Sequence, residues 1–230
     1  MVKKDIGFAF LISKEKVDDK TVKSIREAFK KNKKIFGKVP RKFDILFCDT
    51  EKELKKEAKY YYQPWMTATV LRDNTIVTRS PDFIEKKGRF RKKDFSSIMN
   101  HEMSHVFWND FYNATCKPVW LLEGFAIYAG KGFIMTKKEL KNMIEDYDID
   151  YSILQYRYLE RNFRKGHIPL YPIWGAFTRF LVEKYGHKSV VELMDRYSEK
   201  LTREHYDKLF RKIFGKTEKQ VFDEFLKRFK

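Results

Sequence analysis

The sequence predicts an α+β chain with a small mixed β-sheet N-lobe followed by an all-helical C-lobe. Three observations carry this. Apolar and β-branched runs of strand length all lie before residue 80, and helical periodicity runs from Pro118 to the C-terminus. Between the two lies one long apolar helix, Asp94 to Tyr112. At 230 residues the chain is long enough for one domain, or two lobes sharing one cleft, divided here as 1–112 and 113–230.

The elements follow in order. Ile6 to Ile12 reads as a strand, Val17 to Phe36 as a helix ended by Gly37 and Pro40, and Phe43 to Cys48 as a second strand, a βαβ opening. A short helix from Glu51 to Tyr61 precedes a hairpin. Its arms are Met66 to Leu71 and Thr75 to Thr78, joined by the turn Arg72-Asp73-Asn74. Asp94 is the expected N-cap of the long helix, whose apolar stripe includes Ile98, Met99, Met103, Val106 and Phe107. Beyond Pro118, helices are expected over 121–129, 137–147, 153–163, 171–185, 188–197, 205–214 and 218–229. Gly166, Gly186 and Gly215 act as stops, and Thr217 to Gln220 as an N-terminal capping box.

The long helix carries His101-Glu102-Met103-Ser104-His105. Residues four apart on a helix lie about 40° apart and about 6 Å along the axis, so both imidazoles can reach one tetrahedral ion. A histidine on a helix is often only a satisfied core residue. Two at this spacing, with a glutamate beside the first, in a chain with five histidines, point instead to zinc chemistry. Glu102 then faces the open side of the ion, where a carboxylate can take the proton of a water attacking a carbonyl. Catalytic zinc needs a third protein ligand. Glu123 is the best candidate, since it lies in the apolar run Trp120 to Tyr128, where an unpaired carboxylate would be costly to bury. Gly124 and Ala126 leave room for close packing against the histidine helix. Asp110 and Cys116 are rival ligands. A set of two His and one carboxylate also suits iron, manganese or cobalt.

On these residues the chain resembles the gluzincin metallopeptidases, whose signature is HExxH followed on the next helix by a glutamate ligand. Trp120 to Tyr128 is similar to the WLNEGFAxY segment of zinc aminopeptidases, and more so to the WLxEGxAxY of small peptidase-MA-like domains. Tyr171 to Gly186 resembles, without gaps, the YxxSWALVRYLxEKYG helix of the same group. The resemblance covers about residues 65 to 230. It implies a two-lobed zincin-like fold with the cleft between lobes, one zinc on His101, His105 and Glu123, Glu102 as general base, and Tyr171 as the donor to the oxyanion. His167 and Tyr128 are alternative donors. Two departures stand out: Ile127 occupies a position where thermolysin-like enzymes place an aspartate that orients a histidine, and no GAMEN-like segment supports an aminopeptidase. Peptidases of this kind bind substrate as an added strand. Thr67, Ala68, Thr69 and Val70 are the expected partners, with an ordinary surface hairpin as the alternative reading.

Cys48 and Cys116 are too few and isolated for a disulfide framework, which favours a reducing interior. Gly7 to Ile12 is too short for a signal peptide, and no run approaches the roughly 20 apolar residues of a membrane span. A soluble, cytoplasmic protein is expected. The formal charge of +17 comes from lysine-rich runs at 30–34, 86–93 and 227–230. Such runs can be solvated faces, or can attract nucleic acid, an acidic partner or an anionic membrane. The leading expectation is a zinc-dependent endopeptidase acting on peptides or proteins. The alternatives are a catalytically silent zinc-stabilised module binding nucleic acid or protein through its basic surface, and a zinc hydrolase of other amides or esters.

Overall fold

The computed structural model describes residues 1–86, 90–112, 118–130, 135–154, 170–197 and 202–229. Those residues form a mixed α/β chain with one five-stranded mixed sheet and ten α-helices. They divide into two compact units, residues 1–111 and 112–230.

In the first unit the chain opens as an antiparallel hairpin of β1 (Val2–Asp5) and β2 (Ala9–Ser13). The single strand expected from Ile6 contains the turn. Gly7 has φ of 95°, and its amide donates to Asp5 Oδ1 at 2.8 Å. β1 escapes the apolar pattern because it is a lysine-bearing edge strand, a composition that discourages edge pairing. α1 (Asp19–Phe36) starts on the Asp18 cap and ends at Gly37 in the left-handed conformation, as its breakers predict. β3 (Phe43–Cys48) lies parallel to β2, completing the βαβ opening.

α2 (Glu51–Ala58) and a 3-10 turn at Lys59–Tyr61 lead to β4 (Ala68–Val70) and β5 (Ile76–Arg79). β5 runs parallel to β3 and antiparallel to β4, giving the order β1-β2-β3-β5-β4 with β4 at an edge. Asn74 takes φ of 67° in the hairpin turn, a conformation that asparagine tolerates well. Alternation along β3 serves two faces. Phe43 and Phe47 meet Phe8 and Phe95, while Cys48 joins Leu54, Ala58, Met66 and Val77 beneath α2.

α3 (Pro81–Lys86) was not foreseen, although Ser80 before Pro81 is a compact start signal: Ser80 Oγ accepts from the Phe83 amide. α4 (Phe95–Tyr112) carries the two histidines. Asp94 is not its side-chain cap; it closes the preceding 3-10 turn (Lys92–Asp94) by accepting from the Arg91 amide at 2.7 Å. α4 is apolar around most of its circumference and correspondingly buried. Against α1 it seats Phe107 between Phe29 and Phe36, with ring centroids at 5.5 and 5.2 Å.

The second unit is helical among its described residues: α5 (Val119–Gly130), α6 (Lys137–Asp146), α7 (Leu170–Tyr185), α8 (His187–Arg196), α9 (Arg203–Phe214) and α10 (Glu218–Lys227). The helix expected over 153–163 falls mostly outside the described residues, as does Gly166; its first residues belong to a 3-10 turn at Tyr151–Leu154. The Thr217 to Gln220 capping box is present. α5 and α7 cross closely through reciprocal glycines. A β-carbon at Gly124 would stand 2.6 Å from both the Trp174 carbonyl oxygen and Thr178 Oγ1, and one at Gly175 would stand 2.3 Å from Ile127 Cγ2. The close approach of α7 therefore calls for a glycine at position 124. Gly124→Ala is expected to cost about 1–3 kcal/mol, because the obstruction is partly backbone and cannot rotate away; thermal unfolding measures it. No described helix is long and apolar enough to cross a membrane.

Candidate metal centre

His101 and His105 stand one turn apart on α4. Their Nε2 atoms are 3.1 Å apart, and the rings meet edge to face at a centroid distance of 4.8 Å. His101 is half-buried, and His105 and Glu102 are buried at 9% and 7% exposure. Hydrogen bonds from α1 tie the helix next to the pair. Asn32, buried on α1, donates through Nδ2 to the Asn100 carbonyl (3.1 Å) and Oδ1 (2.7 Å), one residue before His101.

Glu123 is half-buried on α5, one residue before the glycine that admits α7. His101, His105 and Glu123 form a group whose ligand atoms all lie within 4.8 Å of one another. Zinc–nitrogen bonds of about 2.0–2.1 Å in tetrahedral geometry set donors about 3.3 Å apart, so the imidazole pair stands close to shell spacing. The donor set fits a borderline-soft divalent cation. At 3.1 Å one ring can also donate an N–H to the other.

The other sequence candidates separate clearly. Asp110 is not a ligand: Oδ1 accepts from Arg41 Nε at 2.7 Å and Oδ2 from the Arg41 amide at 2.9 Å, anchoring the chain before β3. Cys116 and His167 lie outside the described residues. Burial pushes the Cys48 thiol up to about 12, which leaves it a core residue rather than a thiolate. Tyr171 is half-buried in the first turn of α7, its ring 5.6 Å from that of Trp174. Tyr128 is half-buried on α5, and Ile127 packs on Gly175, which accounts for an aliphatic residue there.

The candidate substrate strand lies at the edge. Arg79 N donates to the Thr67 carbonyl (3.0 Å) and Leu71 N to the Thr75 carbonyl (2.9 Å). With the register Thr69 opposite Val77, main-chain groups of Thr67, Thr69 and Leu71 face β5. Those of Ala68 and Val70 turn outward. Of the four residues proposed to bind substrate through the backbone, these two have the necessary direction; Thr67 and Thr69 do not.

Sequence reading missed one buried polar cluster entirely. Glu218, at 2% exposure, accepts from Trp120 Nε1 (2.9 Å) and the Tyr206 hydroxyl on one oxygen, and from Tyr151 (2.7 Å) and Arg203 (3.0 Å) on the other. Trp120 begins the helix that carries Glu123. Burial, and then the adjacent carboxylate, hold the Tyr151 and Tyr206 phenols well above their ordinary range, so both remain donors. No local pattern announces this cluster, whose members are drawn from 120 to 218. No protein-family model matches the chain, and no curated protein matches it.

Proposed function

We propose that the chain is a zinc-dependent metallopeptidase of two-lobed zincin-like architecture, cleaving peptide bonds within peptides or proteins. What supports this reading is that His101, His105 and Glu123 could hold a metal ion, with a second carboxylate, Glu102, next to the first imidazole in sequence. A structural site would use four protein ligands; the three found among the described residues would leave a position for solvent.

His101, His105 and Glu123 would hold zinc, which when bound supplies Lewis acidity and lowers the pKa of water. Glu102 takes the proton from the water that adds to the scissile carbonyl, and returns it to the amide nitrogen as the C–N bond breaks. The Tyr171 hydroxyl donates to the oxyanion as it develops. An extended substrate pairs with the outward main chain of Ala68 and Val70, a mode indifferent to side-chain identity and suited to internal bonds.

Metal analysis tests the centre separately from activity. One zinc per chain is expected. Glu123→Ala should weaken binding by more than the 10–100-fold typical of removing a group behind a ligand. Fully zinc-loaded protein that cleaves nothing in a peptide library overturns the peptidase reading.

A further inference from the structure

We infer that the outward face of α1 docks the phosphate backbone of a nucleic acid. Helical spacing sorts α1 into two arcs. The inner one packs into the first unit, with Phe29 and Phe36 on Phe107 and Asn32 on Asn100. The outer arc bears Lys23, Arg26, Lys30, Lys33 and Lys34, flanked by Lys20 and Lys31, all exposed. Against these seven cations stand two acids, Asp19 and Glu27, and Asp19 already faces Lys4 at 3.7 Å.

None of the seven forms an ion pair among the described residues, whereas Lys208 on α9 pairs with Glu204 at 2.6 Å and Lys219 on α10 with Asp223 at 2.6 Å. Seven cations without an acidic partner are therefore gathered on α1. From Lys20 to Lys34 the charge extends about 21 Å along a rigid axis. Helical propensity does not demand this pattern, since glutamate four residues before lysine would stabilise the helix better.

The face also selects among polyanions. Every exposed residue of α1 is charged, so it offers no apolar side chain to insert into a bilayer and no hydrophobic anchor for a protein interface. A duplex presents one negative charge per about 1.7 Å of axis and requires only correctly spaced cations, with no base contact. Sequence-independent binding follows. Because the histidine helix meets the opposite arc of α1, docking does not depend on the metal centre, and Glu102→Gln should bind equally well.

Fluorescence anisotropy with a labelled mixed-sequence duplex of about 25 base pairs tests this across a salt series. A variant with Lys23, Arg26, Lys30 and Lys34 all changed to Gln should lose about tenfold or more in affinity, and its log K against log salt should be shallower by about 3–4. Lys208, Lys212, Lys219 and Lys227 changed to Gln remove the same charge elsewhere and should leave binding nearly intact. Unchanged melting temperatures confirm that both variants fold. Equal losses in the two variants, no binding by the unsubstituted chain, or preference for phosphatidylserine-rich vesicles or polyglutamate over the duplex would each overturn the assignment.

Discussion

Glu102→Gln is expected to lower kcat/KM for peptide hydrolysis by about a hundredfold to ten-thousandfold while the zinc content stays at one per chain. The amide matches the carboxylate in size but cannot accept the proton of the attacking water, and general-base catalysis contributes a factor of that order. Glu102 is buried at 7% exposure on α4 between Met103 and a half-buried ligand candidate, so the near-isosteric change should leave the helix intact. Stopped assays on a quenched peptide library, paired with metal analysis, separate the outcomes. Undiminished cleavage by the Gln variant removes Glu102 from the chemistry; loss of both zinc and cleavage makes it a structural residue of the centre.

Glu218→Ala should destabilise the chain by about 3–5 kcal/mol, read from urea or thermal unfolding. Its carboxylate receives four donors from three separate segments, and truncation leaves the Trp120 indole, two phenols and the Arg203 guanidinium without their acceptor. Glu218→Gln should cost less, because it keeps one acceptor oxygen. The same cluster sets an alkaline limit. Burial, and then the Glu218 carboxylate, hold the Tyr206 phenol well above the ordinary tyrosine value of 10.0, so the unfolded chain releases that proton first as the pH rises. Its contribution to stability is complete below pH about 10 and is lost progressively above it. Tyr206→Phe should flatten that alkaline decline.

Much of the backbone was legible in the sequence because its signals are local. Gly37 and Gly215 end helices where only a left-handed residue closes the cap, Thr217 opens one, and Asn74 turns a hairpin. The misses are equally physical. β1 carries the charge of an exposed edge, α3 is too short for periodicity to show, and Asp94 has the right chemistry at the right place but spends its side chain on the preceding turn.

The histidine pair and its adjacent glutamate could be read directly, since helical geometry converts a spacing of four into a shared face without help from the rest of the chain. What needed the tertiary structure were relations across long separations: Asp110 given to Arg41 rather than to a metal, and Gly124 made small by α7. The direction of the main chain at Ala68 and Val70, and the four donors that converge on Glu218, belong to the same class. A residue type and its neighbours determine which conformations are cheap; which polar atoms meet when the chain closes on itself depends on packing that no short window of sequence contains.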